Sequence, residues 1–160
     1  SFYLIEFFYL RNNLLRQIKV NDFSMFIHLI ELDLSMNNLS QIDSSAFKDL
    51  KSLKYLNLSF NKLNLLEKNL TIPLINLITL DLSYNKIKYL EDESFSTLNY
   101  LLSLYLNENL IKHINNNNFT GLRSIKDIYI SKEIFLSQNE ENINYFKNSF
   151  KFKVSRRVLE

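Results

Sequence analysis

His28 and His113 are the only imidazoles in the chain, and no cysteine accompanies them. A metal centre or a nucleophile–base pair needs such side chains to converge on one point. The two histidines lie far apart in the sequence, with no ligand set or nucleophile near either, and both are expected on the surface. Without cysteine, thiol chemistry and disulfide frameworks are excluded. Gly121 is the only glycine, so no glycine-rich loop can wrap a phosphate. Glu31 and Asp33, two residues apart, read as a solvated acidic pair rather than a cation site. No catalytic residue, metal site or cofactor is expected, and the chain reads as a non-enzyme.

Charge and composition narrow the classes further. Nineteen basic and 17 acidic residues leave a net charge of +2. That balance gives no reason to expect nucleic acid or an anionic membrane as partner. Apolar residues make up 46% of the chain, enough for a continuous core. The opening stretch "SFYLIEFFYL" carries Glu6 and is too short to span a bilayer. It lacks the charged leader of a signal peptide. The chain is therefore expected to be a mature form or a fragment, with exposed apolar residues around Phe2, Phe7 and Phe8.

The elements that position any site must come from repetition. Ile5, Leu29, Leu53, Leu77, Leu101 and Ile125 recur every 24 residues without insertion. Counting each as position one, apolar residues follow at positions four, six and eleven. In the repeat around "LDLSYNKIKYL" these are Leu80, Leu82 and Ile87. Position nine is Asn13, Asn37, Asn61, Asn85 and Asn109, then Glu133. Alternation at positions four and six is strand-like and points those side chains inward. One such unit cannot close a core alone, whereas stacked units can. The asparagines then explain themselves. Where the strand stops, backbone amides lose their ladder partners, and an amide side chain supplies both a donor and an acceptor. Phe23, Phe47, Phe95 and Phe119 share a later position and suggest a stacked spine. Thr71 interrupts it near Pro73, and Leu70, Ile72 and Leu74 are expected to fill the gap.

This pattern resembles the leucine-rich repeat, in the 24-residue form common in extracellular proteins. The phrasing is similar to Toll-like receptor ectodomains and to insect leucine-rich immune proteins. The resemblance implies an α/β solenoid: a horseshoe with a parallel concave sheet and an irregular convex side. Residues 1–135 would form six repeats, and 136–160 a C-terminal cap. Within the cap, Ser137 and Glu140 fit a capping box that opens a helix over "SQNEENINYFKNSF". Phe152 and Val154 fall at positions four and six of a final strand, where Lys151 and Lys153 would guard an edge.

Function is then expected on the exposed concave face, at positions two, three, five, seven and eight. Seven aromatics occupy those positions: Phe7, Tyr9, Tyr55, Phe60, Tyr84, Tyr105 and Tyr129. Met36, Phe60 and Tyr84 share one column, and Tyr105 and Tyr129 share another beside Asp81. Clustered exposed aromatics are favoured interface anchors. The candidate ligand-binding set is Asp33, Met36, Tyr55, Phe60, Asp81, Tyr84, Tyr105 and Tyr129. Asp33 and Asp81 are two strands apart, roughly 10 Å, too far to share a cation. Four sequons occur, at Asn38, Asn57, Asn69 and Asn118. Asn69 and Asn118 fall on the convex side and are the better glycan acceptors. The expected partner is another protein or a pathogen-surface ligand, including another leucine-rich repeat chain, with no nucleic acid and no membrane insertion. An extracellular recognition module, secreted or a receptor ectodomain, is the leading reading. A structural or adhesive scaffold fragment and an intracellular, cytoplasmic adaptor are the alternatives.

Overall fold

A computed structural model describes residues 4–136, 144 and 152–155 of the chain. Among them, seven strands build one parallel sheet in simple sequential order. They are β1 (Phe7–Tyr9), β3 (Glu31–Asp33), β5 (Tyr55–Asn57), β6 (Thr79–Asp81), β7 (Ser103–Tyr105), β8 (Asp127–Ser131) and β9 (Phe152–Ser155). A small second sheet pairs β2 (Gln17–Ile18) with β4 (Gln41–Ile42) on the flank. Two short helices complete the set, α1 (Lys68–Thr71) and α2 (Lys132–Leu136).

The pairing register equals the sequence period. Leu32 faces Leu56, Leu56 faces Leu80, Leu80 faces Leu104, and Leu104 faces Ile128. β8 pairs with β9 in the same step, Ile128 against Phe152 and Ile130 against Val154. A constant step keeps every inward side chain above its counterpart. The result is one unbroken apolar core from Ile18 to Ile134, whose leucines at positions one, four and six are almost wholly buried in the inner repeats. Each such side chain contributes roughly 1.5–3 kcal/mol of burial. That gain must offset the ordering of a chain whose strands are only two to five residues long.

Three expectations need correction. Position seven does not face outward: Ser35, Ser59 and Ser83 are buried at the strand ends. Their small size lets the chain turn inward there, and the hydroxyls of Ser59 and Ser83 donate to Asn57 and Asp81. Ile72 does not fill the gap at Thr71; it is 41% exposed, and Leu70 and Leu74 take the interior. α2 begins at Lys132, directly after β8, so the last turn is helical where the asparagine would stand. The helix expected from Ser137 onward falls outside the described residues apart from Asn144, which is helical, and Phe2 and Lys151 lie outside them as well.

Phe8 turns inward against Phe23 and Phe26, with ring centroids 6.3 and 5.0 Å away, while Phe7 stays exposed. The sole glycine, Gly121, has φ +91°, and a Cβ there would lie 2.3 Å from the carbonyl oxygen of Ser96. Two convex turns approach too closely at that point for any side chain.

Candidate functional site

The asparagine ladder sets the geometry of the strand ends. Asn85 Oδ1 accepts from the Leu63 amide at 3.0 Å, and its Nδ2 donates to Leu58 O at 2.9 Å, both in the preceding repeat. The same nitrogen reaches Leu82 O and Ser83 O of its own turn. Asn37, Asn61 and Asn109 repeat this arrangement with Leu15, Leu39 and Ile87 as amide donors. Asn13 differs: its amide bonds only Leu10 O and Arg11 O, and it is exposed.

The residue before each ladder asparagine carries a strained backbone. Met36, Phe60, Tyr84 and Glu108 all have φ of 54–55°. A side chain other than glycine in the left-handed region costs roughly 1–2 kcal/mol. Hydrogen bonds across the stack hold it there: Met36 N to Ser59 O, Phe60 N to Ser83 O, and Tyr84 N to Asn107 O, at 3.0–3.1 Å. Glu108 N donates to the Ser131 hydroxyl instead. The consequence is directional. Position-eight side chains are thrown outward onto the rim of the sheet, one above the next.

On that rim the rings of Phe60 and Tyr84 stack face to face, 4.2 Å between centroids and 7° from parallel. They are 48% and 46% exposed. Met36 stands below them, and the Arg11 guanidinium approaches its sulfur at 3.4 Å. A second pair, Tyr105 and Tyr129, stacks on the strands themselves at 4.3 Å and 8°. Lys153 lies 5.2 Å from the Tyr129 centroid, donates to its hydroxyl, and pairs with Asp127 at 3.1 Å. So the lysine expected to guard a sheet edge is engaged with its neighbours. Those bonds to Tyr129 and Asp127 raise its pKa. Burial, then the adjoining Tyr129, Asp81 and Asp127, push the Tyr105 phenol up. Tyr9 is raised by desolvation and by Glu31.

The candidate residues therefore divide. Asp33, Tyr55, Asp81 and Tyr105 surround a shallow concave depression of about 240 Å³, with Glu31 and Asn57. Met36, Phe60 and Tyr84 form the rim column, and Tyr129 backs Tyr105. The aspartates are less free than their outward positions imply. Asp33 Oδ1 accepts from the Ser35 amide, and Asp81 Oδ1 accepts from both the amide and the hydroxyl of Ser83. Asn57 does the same with Ser59. These residues shape the turn first, and one carboxylate oxygen remains for a ligand. The Ser35 hydroxyl is buried without a partner among the described residues.

The two glycan candidates also separate. Asn69 is exposed. Asn118 is not an open acceptor: it is 1% exposed, its side chain accepts from the Asn115 amide, and its Nδ2 donates to Leu90 O. Asn115 and Asn118 cap a 3-10 turn reciprocally, and Asp92 receives bonds from Asn115 and Asn117. The Asn115–Asn118 spacing was the available sign, since a residue three positions after a capping asparagine commonly closes the cap. His28 and His113 are exposed in different repeats. No group of three or more metal-ligating side chains occurs among the described residues, and no helix there is long and apolar enough to cross a membrane.

Comparison with known proteins agrees with this architecture. No curated protein sequence matches the chain. Among solved structures, the crystal structure of a TLR13–ssRNA13 complex is similar, with a TM-score of 0.65 and 21% identity. The match covers 94% of this chain and 26% of that one, so the chain spans about a quarter of its length. It overturns one expectation: a chain of this fold is complexed with single-stranded RNA, so a repeat solenoid does not by its nature exclude nucleic acid. The near-neutral charge balance was a whole-chain average and cannot carry that exclusion. A model of the leucine-rich repeat matches residues 6–63 and 75–134, most of the solenoid just described. With the 24-residue register, the buried leucines and the asparagine ladder all falling inside those limits, the chain belongs to the leucine-rich repeat family.

Proposed function

We propose that the chain is an extracellular recognition module that binds a protein ligand with the concave face and its aromatic rim. One observation carries this reading: two face-to-face aromatic pairs on neighbouring repeats, Phe60–Tyr84 exposed on the rim and Tyr105–Tyr129 half-buried on the strands beside it. Exposed rings cost solubility unless something covers them. Each ring here is held by its stacked neighbour, and the position-eight rings by the left-handed backbone as well. Rigid rings lose little entropy on binding and fit the role of interface anchors. Tyr55, Asp33 and Asp81 border the pairs and supply polar contacts. An innate-immune ligand, such as a pathogen-surface protein or another leucine-rich repeat chain, fits this surface. The likeness to a Toll-like receptor structure and the exposed sequon at Asn69 support a secretory route.

Two measurements test the reading. The double variant Tyr84→Ser/Tyr105→Ser is expected to lose partner binding while its thermal melt stays near that of the native chain. Binding that survives this change but fails on alteration of the convex side removes the concave site. Mass spectrometry on protein from its native source is expected to find a glycan on Asn69 and none on Asn118. A bare Asn69 leaves the secretory assignment without support.

A further inference from the structure

We infer that the recognition surface continues past the aromatic rim onto the flank beyond the ladder asparagines, and that its partner there is a protein segment bearing carboxylates beside apolar side chains. This rests on the protein-recognition reading above and adds the partner's chemistry. Lys62 follows Phe60 across Asn61, and Lys86 and Lys88 follow Tyr84 across Asn85. All three lysines are exposed. Their backbones are fixed by the stack: Lys62 N bonds Leu39 O and Lys86 N bonds Leu63 O, both at 2.8 Å, and Lys88 N bonds Asn64 O at 3.3 Å. Neighbouring repeats are roughly 4.8 Å apart, so Lys62 and Lys86 extend side by side. Lys112 continues the line one repeat on.

The charge is segregated. Across residues 60–64, 84–88 and 108–112 there are four lysines and a single acid, Glu108. The strands beside them carry Glu31, Asp33, Asp81 and Asp127. The ion pairs of the described residues are Lys68–Glu93 and Lys153–Asp127, and Lys62, Lys86 and Lys88 belong to neither. Like charges on Lys62, Lys86 and Lys88, with no ion-pair partner among the described residues, repel one another and draw in an anion. At its far end the flank opens into a groove of about 590 Å³ with an apolar floor of Leu110, Ile111 and Ile134, where Lys88 and Lys112 are joined by Glu108 and Glu133, so the cationic stretch is the part over Lys62, Lys86 and Lys88. Cationic tips over an apolar floor match a segment that alternates carboxylates with aliphatic or aromatic side chains.

A single-stranded nucleic acid is the rival occupant, since it also brings anions and planar groups. Two features favour protein. The facing surfaces of Phe60 and Tyr84 are occupied by each other, so neither offers that face to a base. The apolar floor of Leu110, Ile111 and Ile134 offers packing to aliphatic side chains that a sugar–phosphate chain does not bring.

Fluorescence anisotropy on the full chain decides the matter with three labelled probes: a short synthetic peptide of Glu, Leu and Phe, its counterpart with Lys in place of Glu, and an oligouridylate. The acidic peptide is expected to bind more tightly than the other two. Lys62→Glu/Lys86→Glu/Lys88→Glu should weaken it about tenfold or more, and Lys→Arg at the same three sites should preserve it. Tyr105→Ser/Tyr129→Ser should weaken it less than the lysine reversal does. Peptide binding that is indifferent to the lysine reversal but lost in the tyrosine variant overturns the flank and retains the concave face. Tighter, lysine-dependent binding of the oligouridylate overturns the partner class here and the protein reading with it. No binding of any probe to the folded native chain overturns the flank site. All three lysines are exposed, so the variants are expected to fold, and circular dichroism checks that they do.

Discussion

Across each coil from the asparagine ladder runs the line of phenylalanines, and the two sides tolerate change differently. In the inner repeats the ladder is never broken: Asn37, Asn61, Asn85 and Asn109 make the same bonds to the preceding repeat. The spine is broken once. Phe23 packs on Phe47 at 6.0 Å and Phe95 on Phe119 at 6.4 Å, with Thr71 between the two pairs. Thr71 is buried, and its hydroxyl meets the carbonyl oxygens of Lys68 and Ser94. Hydrogen bonds within α1 and to the next repeat stand in for a ring. Apolar filling is non-directional and can be done by several shapes. A ladder bond has fixed donors and acceptors, and the asparagine amide meets both kinds at once.

The comparison can be broken or sharpened by substitution. Phe95→Ala should give the largest loss, about 3–5 kcal/mol by denaturant unfolding, because a fully buried ring leaves a cavity between stacked turns. A loss well below that would mean the convex side collapses freely and the spine is dispensable. Asn85→Ala should cost about 1–3 kcal/mol by orphaning Leu63 N and Leu58 O. Asn13→Ala, at the same position with bonds only inside its own turn, should fall within about 0.5 kcal/mol of the native chain. Equal losses at the two asparagines would contradict a ladder that works between repeats. Thr71→Val keeps the volume and removes the hydroxyl, and should cost about 1 kcal/mol in a thermal melt. An unchanged melt would show that shape alone fills the gap.

Much of the fold was legible because its determinants recur. Leucines at positions one, four and six and the asparagine at nine appear again every 24 residues. Any error in one repeat is corrected by the others. Position eight was not legible in the same way. Met36, Phe60, Tyr84 and Glu108 share no chemistry, and none is a residue that favours the left-handed backbone they all adopt. The constraint comes from the neighbouring asparagine and the stack, so it leaves no mark on the residue itself. Position seven misled for a related reason. Strand alternation predicts it outward, yet the strands have ended there and Ser59 and Ser83 turn in to bond Asn57 and Asp81. The lysine flank was diluted by summing charge over the whole chain. It shows only when the residues beyond Asn61 and Asn85 are placed beside the rim.

The constant register has a mechanical consequence. Every ladder asparagine from Asn37 onward ties its own repeat to the one before it, and each strand of the sheet bonds only its immediate neighbours. Under tension applied to its two ends, such a stack has no long-range clamp to fail all at once. It peels from an end like a zip, and each freed unit releases a contour length of roughly 80 Å at about 3.4 Å per residue. The chain thus behaves as a spring of equal coils, with the spine break at Thr71 marking the coil whose click would differ from the rest.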